Sequence, residues 1–185
     1  MRPSNRTAII EAAHRVVARQ GGADFSYETT ATEAGLTKAG VLYHFPSREE
    51  LVLAVVGYVA QSWEEAMLEA LPCPLEESTP AQRIRAYVTV AARDEVSSAD
   101  FAIYADALCR PAHAGPWLEV FSRWFDLSEC SPEERARLTC ARFAADGLWV
   151  AKATELLGSA VEEYDVLVDQ ILSMSRDDSS DGDRP

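Results

Sequence analysis

The sequence lacks the residues and spacings that most enzyme and export signatures need. Its three histidines, His14, His44 and His113, form no His-x-x-x-His pair, and its four cysteines, Cys73, Cys109, Cys130 and Cys140, no Cys-x-x-Cys, so metal-ligand spacing is missing. Gly-x-Ser-x-Gly, a phosphate-cradling glycine loop and Gly-x-Gly-x-x-Gly are absent as well. The expectation is a protein without catalytic residues, metal or cofactor. No export signal precedes the first polar residues, and no apolar run approaches the roughly 20 residues of a membrane span. That pattern predicts a cytoplasmic protein, off the membrane, with free and mostly buried thiols. Alternating strand patterns and internal repeats are also missing, which leaves helices to build the core.

Positive charge is scarce. The chain has 17 Lys/Arg against 30 Asp/Glu, a net charge of −13. Residues 1–50 hold six of each sign, so the whole imbalance lies further along. A nucleic-acid contact must therefore sit at the N-terminal end, working through a few placed cations and helix N-termini rather than a broad positive field. Hydrophobic residues at 48% and charged residues at 25% give an ordinary globular balance.

What is there is helical periodicity. Ile9, Ala12, Ala13, Val16 and Val17 mark a first helix over Thr7–Gln20, ended by Gly21-Gly22. Ser26 caps a second, Tyr27–Ala34; Gly35 turns; Thr37 caps a third, from Lys38 to about Phe45, and Pro46 closes it. Ser47 and Glu50 form a capping box for a long fourth helix, with Leu51, Val55, Val59, Trp63 and Met67 on one stripe up to Pro72. Pro80 starts a helix that runs to about Val96, and Ser97-Ser98 the next. After a break at Pro111–Pro116 comes an aromatic helix around Trp117 to Phe125. Pro132 opens a long helix to Leu157, with Gly158 as its cap, and a last helix spans about Val161–Met174. From Arg176 the tail is Asp/Ser-rich and expected to be disordered. The fold class is all-α, with about nine helices.

Helices two and three, joined by a glycine turn, form a helix-turn-helix arrangement. The run Ala34-Gly35-Leu36-Thr37-Lys38-Ala39-Gly40, followed by Leu42-Tyr43-His44-Phe45-Pro46-Ser47-Arg48-Glu49-Glu50-Leu51, resembles the N-terminal domain of the TetR family of bacterial transcriptional regulators. Ile9-x-x-Ala12-Ala13 belongs to the same pattern, and Tyr27 and Thr30 depart from it, standing where the family has aliphatic residues. The resemblance implies a DNA-binding domain over 1–47, an effector-binding and dimerisation domain over 48–175 and an acidic tail over 176–185.

The residue types suit that role. Thr37 and Lys38 bring free N–H groups and a cation to the start of the third helix. Ala39 and Gly40 permit close approach; Tyr43 and His44 offer an O–H and a ring N–H to phosphate, with Arg48 as a clamp. Tyr27 and Thr29 reach backbone phosphate from the second helix. The plainer alternatives are a simple cap at Thr37, a solvated Lys38 and Arg48, and rings packed on a small core.

Further along, Trp63, Met67, Tyr87, Tyr104, Trp117, Phe121, Trp124, Phe143 and Trp149 form an aromatic-rich set, beside Arg93, Asp94, Asp106, His113 and Asp146. Such a set suits a mostly hydrophobic small-molecule effector, or else simply a core. The penultimate helix is apolar all round, which calls for cover on more than one side. The family resemblance implies a homodimer built from the last two helices, through Ala141, Ala144, Leu148, Tyr164, Leu167 and Ile171. It further implies a repressor bound to near-palindromic double-stranded DNA and released by its effector through the fourth helix. The competing reading is a small-molecule-binding or protein-interaction module with weak or lost DNA binding, which the neutral N-terminal segment keeps open.

Overall fold

A computed structural model describes residues 4–20, 25–92, 97–155 and 164–176. Nine α-helices lie among the described residues, which contain no strand: α1 Asn5–Gln20, α2 Tyr27–Ala34, α3 Lys38–His44, α4 Arg48–Ala70, α5 Pro80–Ala91, α6 Ser98–Cys109, α7 Gly115–Trp124, α8 Pro132–Ala153 and α9 Tyr164–Ser173. A 3-10 turn, Leu75–Glu77, fills the proline-rich break between α4 and α5. The expected stops at Gly21-Gly22 and Gly158, the start at Val161, Arg93 and Asp94, and the tail beyond Arg176 lie outside the described residues. α8 ends at Ala153 rather than Leu157, and Glu155 just beyond it takes a left-handed φ of 55°.

By contacts the chain divides into two compact units. One joins residues 1–62 with 97–119, the other 63–96 with 120–185. The helix-turn-helix segment thus shares a unit with α6 and the start of α7. In this unit α1 presents Ile9, Ala12, Ala13, Val16 and Val17, all fully buried, alongside Ala31, Val41, Phe45 and Leu51. α1 packs on α2 and on α6, where His14 Nε2 lies 2.6 Å from Asp100 Oδ1. The turn after α6 carries His113, which is 5% exposed. Its Nε2 is 3.4 Å from Glu49 on α4, and its Nδ1 is 3.6 Å from Asp106 on α6.

The two departures from the family pattern find separate solutions. Tyr27 turns its hydroxyl inward and donates to the Phe45 carbonyl at 2.9 Å, tying the start of α2 to the end of α3. Thr30 is fully buried, and its Oγ1 has no hydrogen-bond partner. A buried hydroxyl left unpaired costs on the order of 1 kcal/mol or more. Thr30→Val, which replaces the hydroxyl by a methyl of similar shape, is therefore expected to stabilise the protein by roughly 1 kcal/mol. Urea unfolding of the two proteins measures the difference, and a variant less stable than the parent contradicts it.

In the second unit α5 packs on α8 and α9, and α8 on α9. Ile84, Tyr87, Val88 and Ala91 of α5 face inward, as do Leu138, Ala141, Ala145, Leu148 and Trp149 of α8 and Ile171 of α9. Thr79 and Gln82 form a reciprocal capping box for α5, with Pro80 at its first position; at α8 Ser131 is the cap, its hydroxyl accepting from Glu134 N, and Pro132 stands at the first position.

Two sequence expectations need correction. α4 is long and apolar enough to cross a membrane by length and composition, although no such run was expected. Its carboxylates cluster at its ends, Glu49, Glu50, Glu64, Glu65 and Glu69, and leave a low-charge middle. That middle buries Leu51, Val52, Val55, Val56, Val59 and Ala60 in protein, as a core helix does. The cysteines are free, yet only Cys130 is buried; Cys109 and Cys140 are exposed and Cys73 lies between. Exposure of a thiol depends on which face of its helix it occupies, and an all-round apolar helix such as α8 does not disclose that.

Candidate functional site

The α2–turn–α3 segment is set by local hydrogen bonds. Ser26 caps α2: its Oγ accepts from Thr29 N at 3.1 Å, while Thr29 Oγ1 accepts from Ser26 N at 3.0 Å. Gly35 takes φ 66°, a left-handed conformation that costs an L side chain but not glycine. Leu36 N then donates back to Ala31 O at 2.9 Å, closing the turn. Thr37 Oγ1 accepts from Gly40 N at 3.1 Å and starts α3.

α3 commits little of itself to the fold. Val41 is its one buried residue, and Phe45, just past its end, anchors it at 1% exposure. Lys38, Ala39, Leu42 and Tyr43 are exposed and His44 is half-buried. Tyr43 stands out at 84% exposure, with the His44 ring edge-on at 5.2 Å. At Gly40 a Cβ would meet Thr37 Oγ1 at 3.4 Å, an ordinary contact distance. The protomer's own packing therefore does not require glycine inside this helix, where it costs about 1 kcal/mol relative to alanine.

The remaining candidates divide between surface and scaffold. Arg48 is exposed, with its guanidinium 5.9 Å from the Phe25 ring. Lys38 Nζ meets Glu28 Oε1 at 2.5 Å and so is not simply solvated. Tyr27 and Thr29, expected to reach phosphate, use their hydroxyls inside the segment, on Phe45 O and in the Ser26 cap. Burial, followed by the nearby Glu50 carboxylate, raises the Tyr27 phenol pKa. These two residues hold the frame of the site.

The nine residues expected around an effector do not form one group. Tyr104 and Trp117 belong to the first unit, edge to face at 4.9 Å. In the second, Trp63 lies 4.5 Å from Trp149 and 6.1 Å from Tyr87, whose ring meets Phe125 at 5.0 Å. Phe125 stacks on Phe121 at 5.1 Å, and the Arg142 guanidinium covers Phe125 at 4.0 Å. Met67 and Trp124 are fully buried; Trp124 Nε1 donates to Glu64 Oε1 at 3.0 Å, a carboxylate that Arg123 also clasps. Phe143 differs from expectation: it points outward from α8 at 63% exposure.

One carboxylate sits within the aromatic cluster. Asp146 receives a short hydrogen bond from the Tyr87 hydroxyl, and Arg142 Nε stands 3.8 Å from its other oxygen. Burial nevertheless raises its pKa, with the Tyr87 bond and Arg142 opposing. A carboxyl whose folded pKa lies above its unfolded value contributes stability below the ordinary carboxylate range and loses it as pH rises. Asp146→Asn keeps an acceptor for Tyr87 and removes the buried charge. The variant is expected to gain stability over the parent at neutral pH, with the advantage shrinking as pH falls towards 4, near the ordinary carboxylate value. Thermal melts at several pH values test this; an advantage that grows in acid reverses the sign.

Of the residues expected at a dimer interface, Ala141, Leu148 and Ile171 are already buried within the protomer, at 0, 4 and 3% exposure. Tyr164 donates to Ala92 O at 2.7 Å and accepts from Lys152 Nζ at 2.9 Å. Ala144 is half-buried and Leu167 is 39% exposed. The outward face of α8 instead carries Ala136, Cys140, Phe143 and Gly147, at helical spacing, and α9 exposes Val166 at 64%. The missed signal is the register of α8: Phe143 falls in line with Cys140 and Gly147, not with Leu138, Ala141, Ala145 and Leu148.

Comparison with known proteins agrees along the whole chain. The family described as "Tetracyclin repressor-like, C-terminal domain" matches residues 81–176, and "Bacterial regulatory proteins, tetR family" matches residues 9–55. The HTH-type transcriptional regulator BetI of Agrobacterium fabrum is 24% identical over 197 residues, covering 100% of this chain and 94% of its own. BetI of Rhizobium meliloti is 24% identical over 198 residues, covering 100% and 96%. Among solved structures, the multidrug binding protein EbrR complexed with malachite green aligns at a TM-score of 0.66 and 21% identity, over 93% of this chain and 98% of its own. A transcriptional regulator from Rhodococcus sp. Rha1 aligns at 0.69 and 18% identity, over 93% and 94%. At these identities the structural likeness concerns the fold.

Proposed function

Because the chain belongs to the TetR family of bacterial regulatory proteins, and is therefore a DNA-binding transcriptional regulator, we propose that it is a homodimeric repressor, working in the cytoplasm and released from its operator by a mostly hydrophobic small molecule. The observation that carries the DNA-binding part is α3: a seven-residue helix with one buried residue, held by Gly35 and Phe45, and otherwise turned outward. Lys38 and Tyr43 take phosphates or base edges, Ala39 and Gly40 let the backbone approach, and Thr37, His44 and Arg48 complete the contact surface. Tyr27 and Thr29 position that surface. Two copies of α3 related by a two-fold axis would read half-sites one DNA turn apart on a near-palindromic operator.

The effector region is the cluster of Trp63, Tyr87, Phe121, Trp149 and their neighbours in the second unit. Such a set suits an aromatic, mostly hydrophobic molecule, a reading supported by the similar multidrug binding protein EbrR, solved in complex with malachite green. α4 is one uninterrupted helix that buries Leu51 near its start and Trp63 and Met67 near its end. An effector that favours one position of α4 would shift the protein between DNA-competent and DNA-incompetent states. For the dimer, the outward residues Phe143 and Val166 join Leu167 on the partner-facing surface.

Selection from a randomised duplex library tests the reading. A palindromic consensus is expected, and its complex should dissociate on titration with a suitable aromatic ligand. Recovery of no preferred sequence would overturn the regulator assignment.

A further inference from the structure

Three of the five described cations of the N-terminal segment are paired with carboxylates inside the protomer. Five Lys/Arg fall among the described residues of the first fifty: Arg6, Arg15, Arg19, Lys38 and Arg48. Two carboxylates of α2 engage three of them. Glu33 accepts from Arg15 Nε at 2.8 Å and, through its other oxygen, a shorter bond from Arg19. Glu28 accepts from Lys38 Nζ at 2.5 Å. Arg6 lies over the Phe45 ring at 4.7 Å. Both carboxyl groups are held below their ordinary pKa, Glu28 chiefly by the Lys38 bond and Glu33 by Arg15, then Arg19. Arg19, Glu28 and Glu33, together with Thr29 and Thr32, line one open depression, and Lys38 borders it through Glu28. The two pairings therefore share one surface, next to the first turn of α3.

We propose that Glu28 and Glu33 act as internal competitors of the DNA backbone, holding Lys38, Arg15 and Arg19 so that DNA of arbitrary sequence gains little from them. The inference rests on the DNA-binding reading above. Non-specific binding is driven almost wholly by cations meeting phosphates and releasing counterions. A cation that leaves a carboxylate to meet a phosphate exchanges one anion for another. It also strands the carboxylate beside a polyanion, where that carboxylate recruits a salt cation and cancels part of the release. Base-edge contacts made on an operator by α3 residues other than Lys38 do not depend on that exchange. The neutral charge of the segment is thus a means of keeping the protein off bulk DNA, not a sign of lost binding.

The test uses the full-length protein, its Glu28→Gln and Glu33→Gln variants, and a short random-sequence duplex titrated by fluorescence anisotropy over a range of salt. Each variant is expected to bind that duplex at least about threefold more tightly at low salt. The slope of log affinity against log salt should steepen by up to about 0.9 per cation freed. On a Lys38→Ala background, Glu28→Gln should bring no comparable gain, because no partner remains to be released. Unchanged affinity and slope in both variants would overturn the proposal. So would an equal gain on the Lys38→Ala background, which would mean that only bulk charge matters. Failure of the parent and of both variants to bind the random duplex at any salt, together with no preferred sequence from the library selection, would remove the DNA-binding reading and this inference together, an outcome distinct from either.

Discussion

Phe143→Arg is expected to leave each protomer folded and to split the proposed dimer. The side chain is 63% exposed on α8, in register with Cys140 and Gly147, so the protomer's core gives up almost nothing when it is replaced. Placed against its own symmetry mate, an arginine would bring two desolvated like charges together, several kcal/mol against association. Sedimentation should show a monomer with the parent's helical circular dichroism. Operator affinity should fall by at least about a hundredfold, since the second half-site is no longer held at high effective concentration. Leu148→Arg makes the informative contrast. Leu148 lies on the same helix at 4% exposure, so a charge there should unfold the protomer instead of dissociating folded copies. A Phe143→Arg protein that stays dimeric would place the interface elsewhere.

The second large effect is on DNA itself. Tyr43→Ala combined with Lys38→Ala removes an exposed ring and an exposed ammonium from α3. Each lost contact is taken as about 1 kcal/mol. Four contacts over two half-sites then amount to about 4 kcal/mol, or roughly a thousandfold in operator affinity. The loss of Lys38 should also flatten the salt dependence. Thermal stability should stay near the parent's, because Val41 and Phe45, not these two residues, anchor the helix. Operator binding that remains tight in the double variant would move the contact surface away from α3.

Local signals in this chain are legible in its sequence. Ser26 and Thr37 cap their helices as expected, and α2 spans Tyr27–Ala34 as predicted, because a cap is a contact between residues three apart. Gly35 is legible for the same reason: a left-handed turn followed by a new cap has few other uses. The family pattern through Phe45 and Leu51 likewise marks two residues that the fold buries at 1% exposure each. Phe143 shows where local reading stops. On a helix apolar all round, Ala141 and Phe143 look equally suited to a core, and only α5 and α9 decide which of them turns inward.

By itself, then, the sequence determined an all-helical chain, the position of the helix-turn-helix and which short helix is exposed, since periodicity, caps and a glycine turn act within a few residues. Tertiary structure decided the rest: the pairing of Lys38 with Glu28 and of Arg15 and Arg19 with Glu33, the buried hydroxyl of Thr30, and the outward face of α8. Those features depend on which helix faces touch across distances that no local pattern encodes. A neutral count of charges in the first fifty residues is compatible with free cations or paired ones, and only the placement of α2 against α1 and α3 pairs Arg15, Arg19 and Lys38.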